Sequence, residues 1–331
     1  MERLLERLRA FMDEHVYPVE HEALEALDRE VRPGVPYPRI LVELRERAKR
    51  EGLWNLFMPD ERYGPGLTNW EYGMLCEEMG RSPIAPLVFN CSAPDTGNME
   101  ILAEHGSNEQ RRRWLEPLLE GEIRSCFSMT EPEVSGSDPT MLQTTAVLDG
   151  DEWVINGHKW FTSGAIGASY AIVMCRTDPD APPHQRFSQI IVPLPWPGVT
   201  IVRPVPTLGH TWIGGGHCEV RYENVRVPRE NLLGERGQGF RIAQARLGPG
   251  RIQHCMRWLG LARRCMEIAQ AYVAEREGFG VKLAERESVQ IKLGEVAQAI
   301  QIGRLLVMHA AWKLDQGDRA RKEVSMAKVH V

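Results

Sequence analysis

Two short runs carry the residues whose types and spacing could do chemistry. Met129 to Asp138 reads MTEPEVSGSD: a hydroxyl, an acid, a proline, then a small-residue loop closing on a serine–aspartate pair. Turn residues of this kind leave backbone N–H groups and hydroxyls exposed at one mouth. Asn156 to Gly164 reads NGHKWFTSG and sets Trp160 two residues before Thr162. Strand alternation would put those two side chains on one face. A flat aromatic wall beside hydroxyl donors suits a planar, polar-edged ring such as a flavin. The same residues also read as core (Trp160) and turn (Thr130), and the two motifs alone leave both readings open.

The elements that must position these runs fall into three compositional stretches. Residues 1–122 have a helical pattern. LLERLRAFMDEHV, Tyr37 to Leu53 and Asn69 to Arg81 space apolar residues by three and four, and Asn108 to Leu119 adds a helix with Asn108 available as a cap. Residues 123–235 change to a period of two. TTAVLDGDEWVING signals a hairpin through Asp149-Gly150-Asp151, and YAIVMCRT, FSQIIVPL, VTIVRP and HCEVRYENVRV are further strands. Short strands with turns between them predict a barrel or sandwich. Residues 236–331 return to helical spacing, with two long amphipathic segments joined at REGFG, the habit of an antiparallel bundle. The fold class is therefore α+β, with helical, β and helical-bundle parts in that order.

Composition limits the function. A chain of 331 residues predicts two or three domains. A net charge of -5 and a pI near 6.1 argue against general nucleic-acid binding. Arg111-Arg112-Arg113 is flanked by acids and reads as a solvated helix face. No apolar run is long enough to span a bilayer, and the start MERLLERLRAF lacks the marks of a signal or transit peptide, so a cytoplasmic location is expected. The seven cysteines form no C-x-x-C pair and sit among apolar neighbours, which predicts packed, reduced thiols rather than ligands or nucleophiles. His210 and His217 bracket HTWIGGGH, whose glycines read as a tight turn rather than a metal spacing.

Taken together, the two chemical runs resemble the flavin-contacting segments of the acyl-CoA dehydrogenases. Val225 to Gly239, VRVPRENLLGERGQG, resembles that family's exit from its β-domain into a long helix. Arg276 to Gly280, REGFG, resembles its arginine–phenylalanine–glycine corner between two C-terminal helices. The resemblance covers the whole chain. The loop EPEVSGSD is one residue longer than the common EPGAGSD form, so the match is carried by the residues flanking Glu133, Val134 and Ser135. It looks like a subgroup that in some animals is fused to a kinase-like domain.

The resemblance implies FAD as cofactor and an acyl-CoA as substrate, with α,β-dehydrogenation in fatty-acid β-oxidation. It places Phe127, Met129 and Thr130 at the flavin's pyrimidine edge. Gly136 and Ser137 fall where flavin and CoA approach together, and Trp160, Phe161 and Thr162 lie against the ring. Arg276 and Phe279 would reach the ADP part of FAD across a subunit interface, which implies a homo-oligomer, a dimer or a dimer of dimers. Gly248 and Arg251 would lie near the substrate. Glu131 reads as structural. Gly250 occupies the position where some branches place the catalytic glutamate, so no catalytic base is nominated and it is expected beyond Val331. An electron-transfer flavoprotein is the implied partner. The rival readings are an oxygen-reactive oxidase of the same superfamily and a non-catalytic subunit that kept the fold. A carboxylate in the C-terminal loop would separate the enzyme from the scaffold.

Overall fold

Helical spacing becomes helix where it was expected, and the period-two stretch becomes one sheet. The computed structural model describes residues 1–207 and 215–331, with backbone only at Pro249. The helices are α1 (Glu2–Phe11), α2 (Glu20–Glu30), α3 (Arg39–Arg50), α4 (Asn69–Met79), α5 (Ala85–Val88), α6 (Asp95–His105), α7 (Asn108–Gln110), α8 (Glu116–Leu119), α9 (Gly239–Glu275), α10 (Glu287–Asp315) and α11 (Arg321–His330). The strands are β1 (Ser125–Ser128), β2 (Thr145–Asp149), β3 (Glu152–Ser163), β4 (Tyr170–Arg176), β5 (Phe187–Pro193), β6 (Val199–Pro204), β7 (His217–Pro228) and β8 (Leu232–Leu233), with a short hairpin β9 (Glu277–Gly278) and β10 (Val281–Lys282). They form two compact units. One gathers residues 1–20, 48–89 and 248–331, the other residues 21–47 and 90–247.

The helical unit is built around α4. Thr68 caps it in a capping box with Glu71, and Asp315 at the end of α10 accepts from the Asn69 and Trp70 amides at 2.8 and 2.9 Å. Carboxylates at a helix N-terminus satisfy orphan N–H groups. Two glycines let α4 and α9 touch main chain to main chain. A Cβ on Gly260 would stand 1.9 Å from the Glu77 carbonyl oxygen, and one on Gly80 would stand 2.3 Å from the Arg257 carbonyl oxygen. At that contact Glu77 is buried and accepts from Arg263 at 2.9 Å and from Arg304 of α10. The two arginines overcome the burial penalty and hold its carboxyl below the usual range.

The β unit carries one mixed sheet in the order β6-β7-β3-β2-β4-β5-β8, with β1 pairing parallel to β4. The hairpin turns at Gly150, whose φ of 62° favours glycine. Trp153, Ile155, Val173, Ile190, Val220 and Val225 form its core on one face. Among the described residues β6 and β8 are free edges, so the sheet does not close into the barrel that the short strands suggested. A second correction concerns the cap before α7. Ser107, not Asn108, accepts the Gln110 amide at 3.1 Å, because Gln110 reaches back to the Ser107 amide and completes a capping box. The HTWIGGGH turn lies largely outside the described residues, though Gly215 and Gly216 have φ of 112° and 69°, as a tight turn requires.

Candidate functional site

The site grows from the end of β1. Asp95 at the start of α6 accepts from the Ser125 amide at 2.7 Å and its hydroxyl at 2.6 Å, which pins the strand where it begins. Phe127, Met129 and Thr130 follow, all partly buried. Glu131 then turns inward and is almost wholly covered. It accepts from the Gln143 amide at 2.6 Å, the Thr144 amide at 2.9 Å and Lys159 Nζ at 2.8 Å. Lys159 is itself fully buried on β3 and also donates to the Met129 carbonyl at 2.8 Å. Burial alone would raise the Glu131 carboxyl. The Lys159 ammonium and the donated hydrogen bonds outweigh it and hold the group below the usual carboxylate range. One residue on, the Trp160 amide donates to the Thr130 carbonyl at 3.0 Å. The first and second chemical runs are thereby clipped together by a side chain and by main chain.

Beyond Glu131 the loop stays open. A Cβ on Gly136 would stand 3.1 Å from Thr130 Cγ2, so the glycine lies against the threonine. Ser137 is exposed and shares a 2.9 Å hydrogen bond with Ser135. Asp138 accepts from the Thr140 amide at 3.0 Å and hydroxyl at 2.6 Å, which closes the loop. Glu133, in the longer part, pairs with His158 Nδ1 at 2.5 Å while Glu219 takes Nε2 at 3.0 Å. Glu133 and His158 line a cleft of about 480 Å³ together with Thr144, Arg221 and Glu223.

The second run departs from strand alternation. Between Lys159↔Val220 and Thr162↔Cys218 the β3–β7 register slips, three steps on β3 meeting two on β7. Phe161 absorbs the bulge in a left-handed conformation, φ 49°. Lys159 and Thr162 both become fully buried, while Trp160 is half-buried and Phe161 is 40% exposed. The two rings touch, centroids 4.7 Å apart. The expectation that Trp160 and Thr162 share a face is therefore corrected. The Thr162 hydroxyl instead lies 3.2 Å from Ser128 Oγ, which also receives the Tyr222 hydroxyl at 3.0 Å.

One residue of the site escaped sequence reading. Arg246 near the start of α9 lays its guanidinium over the Phe127 ring, 4.3 Å from its centroid. It donates to Asn98 Oδ1 at 3.1 Å and the Pro94 carbonyl at 3.3 Å. Gly97 makes room, since a Cβ there would meet Arg246 Cγ at 2.7 Å. Burial pushes this guanidinium down to about 10, against the opposing charges of Glu100 and Asp95. The only sequence signal was an arginine inside the apolar spacing of FRIAQARL.

The remaining candidates belong to the helical unit. Gly248 and Arg251 lie on α9, both partly buried, and a Cβ on Gly248 or Gly250 would meet nothing within 4 Å. Arg276 and Phe279 occupy the α9–α10 corner. Arg276 is exposed, and Phe279, in a left-handed conformation with φ 55°, has its whole side chain in solvent. Arg286 braces the corner by donating to the Gly278 carbonyl at 2.7 Å.

Six of the cysteines are buried and Cys265 is exposed. Burial pushes the thiols of Cys76 and Cys218 up to about 11 and that of Cys175 to about 12, which removes their nucleophilicity near neutral pH. Among the described residues no three His, Cys, Asp or Glu side chains gather for a metal, and no helix is long and apolar enough to cross a membrane.

Comparison with known proteins agrees with this arrangement. Residues 1–122, 126–225 and 237–331 match the N-terminal, middle and C-terminal domains of acyl-CoA dehydrogenase. FadE2 of Mycobacterium tuberculosis is 50% identical over 97% of this chain and 79% of its own length. Acyl-CoA dehydrogenase family member 10 of mouse is 46% identical, and the chain spans only 31% of that longer protein. A solved chain from Mycobacterium abscessus superposes with a TM-score of 0.94 at 45% identity, covering 99% of this chain and 84% of that one. The three domain matches run in order along the chain, and with them the chain belongs to the acyl-CoA dehydrogenase family.

Proposed function

We propose that this chain binds FAD against the face formed by residues 127–137 and 160–161 and serves the α,β-dehydrogenation of an acyl-CoA thioester to a trans-2-enoyl-CoA. The observation that carries the reading is the clip between the two runs, Trp160 N–H to Thr130 and Lys159 to Met129. It sets a half-open aromatic pair beside a fixed stretch of backbone and hydroxyl groups. The residues fit a flavin: Gly136 admits a close approach, Thr130 and Ser137 offer hydroxyls, and Trp160 and Phe161 offer ring surface. When bound, FAD supplies the hydride acceptor, and the redox step belongs to it.

The chain's own part is to bind, orient and exclude water. Phe127, Met129 and Thr130 hold the polar edge of the ring, and Trp160 and Phe161 cover its flank. Ser137, Gly248 and Arg251 serve the CoA thioester. Arg276, with a planar fork suited to phosphate, and Phe279 serve the ADP part, supplied to a neighbouring subunit in a homo-oligomer. The α-proton of a thioester is weakly acidic, so its removal needs a carboxylate while hydrogen bonds polarise the carbonyl. Gly250 cannot fill that role, and we place the carboxylate outside residues 1–331. Electrons leave to an electron-transfer flavoprotein.

The test is direct. The purified protein should be yellow, with one FAD per subunit, and added FAD should raise its melting temperature, since a ligand of the folded state stabilises it. A colourless protein whose melting temperature ignores FAD would overturn the reading.

A further inference from the structure

We propose that His158 is a pH-sensitive latch: as the imidazolium it ties the loop at residues 132–137 to the sheet, and as the neutral ring it lets that loop go. The inference stands apart from the FAD reading and concerns how firmly Gly136 and Ser137 are held. The ring lies between two carboxylates. Glu133 of the loop meets Nδ1 at 2.5 Å, and Glu219 of β7 meets Nε2 at 3.0 Å. An ionised carboxylate only accepts, so both bonds exist together only when both ring nitrogens carry protons. A neutral imidazole has one N–H, and its other nitrogen turns a lone pair toward the second carboxylate.

The surroundings decide which carboxylate is released. Arg203 of β6 is directly paired with Glu219 and donates to it at 2.9 Å. Burial would raise the Glu219 carboxyl, and His158 and Arg203 together hold it below the usual carboxylate range. Glu219 therefore keeps a partner when the ring is neutral. Glu133 is half-exposed, and among the described residues it makes no hydrogen bond or ion pair besides that to His158. Nor does any other hydrogen bond among the described residues join residues 132–137 to the sheet. Ser135 and Ser137 bond each other, and the Asp138 amide donates to the Ser135 carbonyl. Val134 adds an apolar contact with the cluster of Leu142 and Phe187, which pH leaves alone. The other charges in the cleft pull in both directions. Arg221, the direct partner of His158 on β7, repels the imidazolium, and Glu223 attracts it. Glu131 is already paired with Lys159, and burial keeps the Tyr222 hydroxyl protonated.

A nitroxide on Ser135→Cys, in a Cys265→Ser background, reports on the loop in the FAD-free protein. Ser135 and Cys265 are exposed, and the other six cysteines are buried. The electron spin resonance spectrum is read at about pH 5.5 and about pH 8.5, which span the imidazole range and stay above that of the carboxylates. With Glu133 and His158 intact, the ratio of mobile to immobile label should rise roughly three- to fivefold between the two, the size of one half-exposed ion pair. Glu133→Gln should abolish that response and keep the label immobile at both. Its amide can accept from the charged ring or donate to the bare nitrogen of the neutral one. His158→Ala should leave the label mobile at both. If His158→Ala does not fold, His158→Gln decides, because its amide donates to Glu133 at either pH and should hold the label immobile throughout. A ratio that ignores pH with both residues intact, or a pH response that survives in Glu133→Gln or in a His158 variant, would overturn the inference.

Discussion

The carbonyl of Thr130 accepts the amide proton of Trp160 at 3.0 Å, so the two candidate runs meet main chain to main chain. A backbone bond requires neither side chain, so this contact should survive substitutions other than proline at position 160. What can be removed is the side-chain bond beside it, from Lys159 to Met129.

Lys159→Met tests that bond. It strands the Glu131 carboxylate in the interior, at a cost of about 3–5 kcal/mol. The pH dependence has a definite sign. Glu131 is held below its ordinary 4.5, so in the wild type its contribution is present above that value and lost as pH falls through the lower, folded value. In the variant only the Gln143 and Thr144 amides still oppose burial, so the carboxyl moves up and protonates at a higher pH than in the wild type. Urea denaturation should therefore show a gap between the two proteins that is wide at pH 7 and narrow at pH 4. A gap of equal size at both would show that the pair contributes no charge interaction.

Phe161→Gly should separate stability from binding. A left-handed phenylalanine carries about 1–2 kcal/mol of strain that glycine does not. Glycine loses roughly 0.4–1 kcal/mol through the greater freedom of the unfolded chain. The FAD-free protein should stay within about 1 kcal/mol of wild type, while FAD affinity falls with loss of the ring. Chemical denaturation and a flavin titration on one preparation check both, and retained affinity would remove Phe161 from the site.

Arg276→Ala removes an exposed side chain, so the FAD-free protein should change by about 0.5 kcal/mol or less. FAD affinity should nonetheless fall by roughly 1.5–3 kcal/mol, as for a charge-assisted phosphate contact. Arg276→Lys should recover part of it. Sedimentation with flavin content recorded at each concentration should show cofactor and assembly lost together. Full occupancy in a monomeric variant would leave Arg276 as a helix-end charge.

Gly260→Ala should be among the costly single changes in the helical unit. Its Cβ would overlap the Glu77 carbonyl, forcing α4 from α9 at about 1–3 kcal/mol or more. Gly278→Ala is the control, since a Cβ there meets nothing within 4 Å. Equal melting temperatures for the two variants would refute the close helix contact.

The helices and strands were legible because their signal is periodic and local. α9 and α10 follow apolar spacing, and β2–β3 follow alternation through Gly150. The bulge in β3 was not, because the left-handed residue is a phenylalanine and no glycine marks the place. Its consequence, the burial of Thr162 beside Lys159, was hidden with it. Arg246 and Asn98 are 148 residues apart, so their contact had no local trace. The open edges of the sheet were equally silent, since strand count alone does not say whether β6 and β8 meet. Ser107 and Gln110 carry the capping-box spacing, which outweighs the cap preference of Asn108.

The loop after Thr130 is bolted at both ends by carboxylates, Glu131 to Gln143, Thr144 and Lys159 at one end and Asp138 to Thr140 at the other. A segment hung between two such fixtures can gain or lose a residue without moving the wall behind it. Substitutions at Glu133, Val134 and Ser135 should therefore alter the rim alone, leaving in place the wall where Thr130 and Trp160 meet.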